Sequence, residues 1–226
     1  KNHPGSSVVD VGFSLPCALL ANPLGETVVT GDATFERDET NTTLQVKTSD
    51  KVIISWEDFS INAGELTKFI QPGEMSAALN RVISGNPSSI LGSLQSNGQI
   101  YLINPNGILV GAEGKIDTGS FIASALDVTD AEFMAGGDLN FFGSSANSVT
   151  NDGSITANGD VFLIGAQVEN NGKIVANGVA GLGAGNKAFI KQSGNERLFV
   201  FGGEEVKIFN VNAGNIKAAS VELKAT

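Results

Sequence analysis

Asn151-Asp152-Gly153-Ser154-Ile155-Thr156-Ala157-Asn158-Gly159 returns 19 residues later as Asn170-Asn171-Gly172-Lys173-Ile174-Val175-Ala176-Asn177-Gly178. Gly114-Lys115-Ile116-Asp117-Thr118-Gly119 carries the same pattern 39 residues before the first copy, about two periods. A worn copy closes the chain at Ala213-Gly214-Asn215-Ile216-Lys217-Ala218. A second element follows, in Gly119-Ser120-Phe121-Ile122, Gly137-Asp138-Leu139-Asn140-Phe141 and Gly159-Asp160-Val161-Phe162-Leu163. A period near 20 residues marks a solenoid, because one repeat cannot bury its apolar face without a neighbour. A leucine-rich repeat needs Leu at fixed short spacings, whereas this unit offers Gly, Asn and Ile. A β-helix needs short strands with inward Val, Ile, Leu, Phe or Ala, and corners rich in Gly and Asn. The second pattern fits.

The expected fold is therefore all-β, a right-handed parallel β-helix with about 19–20 residues per coil; the hand follows from the near-universal sense of parallel crossovers. Around ten coils at the interstrand spacing of about 4.8 Å give a rod of roughly 50 Å. Asn side chains at matched corners are placed to hydrogen-bond from coil to coil. The competing architecture is an antiparallel sandwich with coincidentally similar hairpins.

Composition agrees with many short strands. Only 17% of the 226 residues are charged, and 28 Gly with abundant Asn, Ser and Thr stand in their place. Residues 1–95 lack a clean repeat. Val28 to Phe35, Thr43 to Thr48 and Lys51 to Trp56 read as strands, with Glu36 to Thr42 as a hairpin loop. An open solenoid end exposes a strand edge, so this irregular region reads as an N-terminal β-cap with early coils. Glu74 to Ile83, bracketed by Gly73 and Gly85, reads as strand despite a helix-like composition. The division is one domain over 1–226, with regular coils from 96 onward and the solenoid expected to continue past Thr226.

A net charge of −10 without any Lys/Arg cluster disfavours nucleic acid and anionic lipid as partners. No apolar run approaches a membrane span. Cys17 is the only cysteine, so no intramolecular disulfide forms, and with His3 as the only histidine no cysteine–histidine metal site exists. The chain begins at Lys1 without Met or a signal peptide, as a processed piece would.

The same single histidine removes Ser–His and Cys–His nucleophile systems. Paired acids stand at Glu57-Asp58, Glu204-Glu205 and Glu36/Asp38/Glu39. Neighbouring acids in a strand point to opposite faces, and loop acids are solvated surface, so a glycosidase pair is disfavoured. Gly181-Leu182-Gly183-Ala184-Gly185-Asn186-Lys187 lacks the Gly-Lys-Ser/Thr ending of a phosphate loop and reads as a corner or relaxed coil. No catalytic residue, cofactor, metal or small-molecule substrate is predicted.

One stretch does carry information about function. Ser96-Asn97-Gly98-Gln99-Ile100-Tyr101-Leu102-Ile103-Asn104-Pro105-Asn106-Gly107-Ile108-Leu109-Val110-Gly111 is two β-prone runs joined by a sharp corner. Pro105 cannot sit inside a paired central strand, and Asn106-Gly107 tolerates positive φ. By itself this is a good turn. With its surroundings it closely resembles the haemagglutination-activity, or two-partner secretion, domain at the N-terminus of large bacterial exoproteins such as filamentous haemagglutinin and the high-molecular-weight adhesins. Ser55-Trp56-Glu57-Asp58-Phe59-Ser60-Ile61 resembles the family's Trp-x-x-Phe segment. Phe69-Ile70-Gln71-Pro72 leading to Leu79-Asn80-Arg81-Val82 resembles its next block. Ile90-Leu91-Gly92-Ser93-Leu94 before the motif and Gly119-Ser120-Phe121-Ile122-Ala123-Ser124 after it keep the family's order, from about Gly25 to Ile190. The Asn-Pro-Asn-Leu signature is missing, with partial echoes at Asn22-Pro23-Leu24 and Asn86-Pro87-Ser88, which points to the adhesin-like branch.

The resemblance implies a β-helix with an N-terminal cap and extra-helical antiparallel hairpins. It implies a secretion-targeting module read in the periplasm by the POTRA domains of an outer-membrane β-barrel transporter. The chain then crosses unfolded and folds outside a Gram-negative cell as a monomer, nucleating the β-helix behind it. Asn104, Pro105, Asn106, Gly107 and Ile108 are the implied secretion motif, acting through folding of the coil or through direct recognition, and Leu79 to Val82 the secondary block. The alternative is a surface adhesin or glycan-binding module, for which only Trp56 and Tyr101 suggest themselves as sugar platforms.

Overall fold

The computed structural model describes residues 22–202, 207–210 and 214–225, with backbone alone at 207–210; His3, Cys17 and Glu204-Glu205 lie outside them. Two strands, β1 (Thr27–Thr30) and β2 (Ala33–Arg37), precede the coils. The first coil holds β3 (Thr43–Thr48) and β4 (Val52–Trp56). The second holds β5 (Leu66–Ile70), β6 (Ala77–Val82) and β7 (Ser88–Ile90). The third holds β8 (Ser93–Ser96), β9 (Gln99–Ile103) and β10 (Ile108–Val110).

In the fourth coil, β11 (Lys115–Thr118) and β12 (Ser120–Ser124) are separated from β14 (Ser148–Asn151) by an excursion containing α1 (Asp130–Ala135) and β13 (Leu139–Phe142). The fifth is uninterrupted: β15 (Ser154–Ala157), β16 (Val161–Gly165) and β17 (Gln167–Asn170). In the sixth, β18 (Lys173–Ala176) and β19 (Val179–Ala184) are parted from β22 (Lys207–Asn210) by the hairpin β20 (Lys187–Ile190) and β21 (Leu198–Phe201). The last coil has β23 (Asn215–Lys217) and β24 (Ser220–Ala225).

Three long sheets run along the rod, in the orders β2-β3-β5-β8-β11-β15-β18-β23, β1-β4-β6-β9-β12-β16-β19-β24 and β7-β10-β14-β17-β22. Pairing is parallel from β3 and from β4 onward, whereas β2 on β3 and β1 on β4 are antiparallel and form the cap. The chain is a right-handed parallel β-helix. Its first sheet stacks Leu44, Thr67, Leu94, Ile116, Ile155, Ile174 and Ile216 in one inward column through every coil.

The rod is shorter than the sequence suggests. Among the described residues β4, β6, β9, β12, β16, β19 and β24 mark seven coils, not ten, because two excursions leave the helix. The same excursions explain the irregular spacing. Ile116 pairs directly with Ile155, so the interval of 39 residues is one coil and an excursion, not two periods. Gly137 to Phe141 is accordingly no coil element; β13 joins β20 and β21 in a separate antiparallel sheet. Val28 to Phe35 is likewise two strands rather than one, broken at Gly31 with φ +80°.

Both faces of the second sheet are covered. Its inner side joins the rod's core through Ile54, Leu102, Ala123, Leu163 and Leu182. Its outer side, through Ile53, Leu79, Ile122 and Phe162, packs against Phe133 of α1, Leu139 and Phe141 of β13, and Leu198 and Val200 of β21. This explains why β12 and β16 are continuous buried runs instead of alternating ones. It also corrects the reading of Gly181 to Lys187. Gly181 and Gly183 lie in β19, where a Cβ at Gly181 would come 2.5 Å from the Phe162 ring, and only Gly185-Asn186 forms the expected corner, before β20.

The cap is tied by polar bonds. Asn22, at φ +60°, donates from its backbone to Glu65 and from its amide to the Asn41 carbonyl, and accepts from Thr67. Beneath it, Trp56 meets Phe35 and Phe59 edge-on at 5.6 and 5.4 Å and fills the rod's first coil.

At the corner leading into the first sheet, Gly114, Gly153 and Gly172 stack so closely that a Cβ at Gly172 would lie 2.1 Å from the Gly153 carbonyl oxygen. Gly172→Ala is expected to destabilise the chain by about 1–3 kcal/mol through forced backbone separation. Gly73→Ala, with open space at the Cβ position, is expected to stay within about 0.5 kcal/mol. Urea unfolding of the two variants checks the contrast.

Candidate functional site

Asn104 to Gly107 is the tight corner between β9 and β10. Gly107 N–H donates to the Asn104 carbonyl at 3.0 Å, closing a β-turn with Pro105 at its second position. Only Gly107 has positive φ, at +103°; Asn106, expected to share that freedom, does not use it. Instead Asn104 directs the turn. Its Oδ1 accepts the Asn106 N–H at 2.9 Å and the Asn106 amide at 3.2 Å.

The same side chain reaches a neighbouring coil. Asn104 is fully buried, and its Nδ2 donates to the Asn86 carbonyl and to Ser88 Oγ, both at 3.0 Å. Its backbone N–H donates forward to the Ser124 carbonyl at 2.9 Å. Asn104 thus joins the second, third and fourth coils. Asn106 Nδ2 adds a bond to the Ser84 carbonyl at 2.7 Å, and Ser88 N–H donates to the Gly107 carbonyl at 3.0 Å. Ile108 then enters the core at 2% exposure. Pro105 is the exposed member, and its carbonyl accepts from Ser145 Oγ at 2.5 Å and Asn147 Nδ2 at 2.9 Å, where the excursion returns.

Leu79 to Val82 lies in β6, two coils below α1. Alternation sends Asn80 and Val82 to the inner core and Leu79 and Arg81 to the outer face. Asn80, fully buried, accepts from the Trp56 indole at 3.0 Å and donates to the Tyr101 carbonyl at 3.3 Å. Arg81 donates to Asp127 at 3.0 Å, to Asp130 at 2.8 Å and to the Val128 carbonyl at 2.8 Å. Those two carboxylates hold its guanidinium above its ordinary pKa against the opposing pull of burial. The block therefore pairs one residue that completes the core with one that clamps the first excursion to the rod.

The matched corner asparagines bond as the repeat implies. Asn151 donates to Asn170 at 2.7 Å, and Asn171 to Asp152 at 2.8 Å. The two proposed sugar platforms are a different matter. Trp56 is wholly buried, and Tyr101 sits against Phe133 at 5.3 Å on the floor of a groove of about 540 Å³. Arg197 and Asp160 pair at the wall of that groove at 2.5 Å. Trp56 offers no open ring face, and Tyr101 is only part-buried in the groove. Among the described residues no group of three His, Cys, Asp or Glu side chains is placed to hold a metal ion.

With this geometry the comparisons with known proteins agree. Residues 21–226 match the TPS secretion-domain family. The chain is a TPS secretion domain. It is similar to the HMW1 secretion domain from Haemophilus influenzae, at 32% identity and TM-score 0.75 over 90% of this chain and 57% of that one. The filamentous hemagglutinin secretion domain matches at TM-score 0.66 over 88% and 78% of the two chains; its identity of 14% speaks for the fold alone. Two heme/hemopexin-binding proteins of Haemophilus influenzae are also similar. One is 32% identical over 213 residues, 90% of this chain, and the other 37% identical over 106 residues, 47% of it. The matched stretches span 23% and 11% of those proteins' lengths. The higher identity to the HMW1 domain agrees with the adhesin-like branch, and the matched relatives are secretion domains and binding proteins, not enzymes.

Sequence reasoning missed Asn22 and Arg81 as clamps, because Glu65 lies 43 residues from Asn22 and Asp127 46 residues from Arg81. Removing the clip is the direct probe of the motif. Asn104→Ala strands buried partners at Asn86, Ser88 and Asn106 and is expected to cost about 3 kcal/mol, whereas Asn106→Ala costs about 1 kcal/mol; chemical denaturation separates them. Tyr101 gives a pH test. Burial, then the Asp160 carboxylate, pushes its phenol from 10.0 up to about 12. A raised acid favours the protonated folded state, so its contribution is complete below pH 10 and is lost as pH climbs towards 12. Tyrosinate absorbance from the single Tyr is expected to appear near pH 12 in the folded chain and near pH 10 once urea has unfolded it.

Proposed function

We propose that this TPS domain targets a longer exoprotein to a cognate outer-membrane transporter through that transporter's periplasmic POTRA domains. It does so as a monomer without enzymatic activity. After transit it forms the first coils on which the remaining chain winds, at the surface of a Gram-negative cell or beyond it. The Asn104 clip is the observation that carries this reading. One side chain fixes the motif's turn and bonds the preceding coil, and a backbone N–H of the same residue awaits the next. The secretion motif accordingly works by closing a coil, with Pro105 and Asn106 the parts left open to a partner.

The adhesin reading loses Trp56, which is core, and keeps only Tyr101, which packs edge-on against Phe133 of α1 in the groove. Secretion of the attached exoprotein is expected to stop in Asn106→Ala and in Gly107→Val. Normal secretion by both would remove the motif's role. Thermal stability and POTRA binding of the purified variants then separate the two modes of action: lost binding at unchanged stability would overturn the folding account.

A further inference from the structure

A solenoid couples each coil to its neighbours and to nothing further along the rod. Here the excursions reach past that limit. Arg81 of β6, in the second coil, donates to Asp127 at 3.0 Å and to Asp130 at 2.8 Å, at the root of α1. Glu222 of β24, in the seventh coil, is only 7% exposed. Its carboxylate accepts the backbone N–H of Arg197 at 2.9 Å and of Leu198 at 2.7 Å, where β21 begins. β6 and β24 stand five strands apart in the second sheet, about 24 Å at the usual interstrand spacing of about 4.8 Å.

Between these two anchors the bonding is continuous. Asp127 and Phe142 exchange backbone bonds at 3.0 and 2.9 Å. The ladder then steps from β13 to β20, pairing Phe142 with Lys187 and Leu139 with Ile190, and from β20 to β21, pairing Ile190 with Leu198. Just past Leu139, Asp138 accepts the Gln192 N–H at 2.8 Å and extends the link. On the rod side Phe133, Leu139, Phe141, Ile190, Leu198 and Val200 belong to one apolar layer. Charged contacts follow the same line. Lys51 of the first coil donates to the Met134 carbonyl, Arg197 pairs with Asp160 of the fifth, and Lys224 of the seventh pairs with Glu196.

We propose that α1 and the β13-β20-β21 sheet form a lengthwise brace that opens and closes as one unit, latched by Arg81 at one end and by Glu222 at the other. Releasing either latch loosens the far end, because the ladder carries the release and the apolar layer is lost as a whole. The brace also imposes an order. Its strands precede the seventh coil in the chain, yet one latch lies on β24. The outer layer therefore closes only once the seventh coil is wound. The two bonds that make closure conditional run from main-chain N–H groups to a carboxylate, which places them among the stronger hydrogen bonds.

Amide hydrogen exchange of the 226-residue chain, read residue by residue, tests the coupling. Glu222→Gln keeps the shape of the side chain and removes one acceptor oxygen. It is expected to speed exchange at Asp127 and Phe142, at the far end, by about tenfold. Arg81→Gln is expected to speed exchange at Leu198 to a similar degree, since coupling is reciprocal. Ile155→Val, a core change of comparable cost in the inward column, is expected to leave all three rates unchanged. Faster exchange confined to the end that carries the substitution would overturn the brace. An equal rise in Ile155→Val would overturn it as well, since those amides would then report unfolding of the whole chain. Should either Gln variant fail to fold, Arg81→Lys, which keeps the charge and loses the planar fork, gives the same readout at Leu198.

Discussion

Register is the constraint on which everything else in this molecule rests. Each coil is bonded to the next through parallel ladders, and a slip of one residue would turn every inward side chain outward. The column from Leu44 to Ile216 holds its alignment across all seven coils. Two departures from apolar character are matched by polar partners. Thr67 in that column bonds to Asn22 from the cap, and Asn80 in the second sheet bonds to Trp56. These two buried polar groups are satisfied by specific neighbours, so they fix alignment as well as stability.

The second sheet shows how a solenoid acquires individuality. Its outer face would be polar in a bare rod, as the alternating strands of the other sheets are. Here α1 and the small antiparallel sheet lie over it, and the sequence responds position by position. Ile53, Leu79, Tyr101, Ile122 and Phe162 form one outward column, after which Gly181 makes room for Leu198. Arg81 then secures the excursion with charge, through Asp127 and Asp130.

Legibility in the sequence followed locality. Strands Thr43–Thr48 and Ser120–Ser124, the Asn-Gly corners and the stacked asparagines were readable because each depends on residues within one coil or its neighbour. Coil number was not. The Gly114 and Gly153 patterns look like two periods apart in sequence, and only pairing reveals one coil with an excursion between them. Gly181 to Lys187 misled for the same reason: its glycines answer to a hairpin further along the chain. Trp56 and Tyr101 looked available for binding since sequence gives composition and not cover.

Both excursions leave the rod at one corner, between the second and third sheets, and the Asn-Pro-Asn-Gly turn is the short form of that same corner. Pro105 offers its carbonyl to Ser145 and Asn147, where the first excursion comes home. The corner is therefore a splice. Segments of very different length are inserted along one seam of the rod, and the Asn-Pro-Asn-Gly turn holds the first of them where it rejoins the ladder. Because loop closure costs only about 0.6 kcal/mol for each doubling of length, that seam is the place where such a domain diversifies while its coils stay in step.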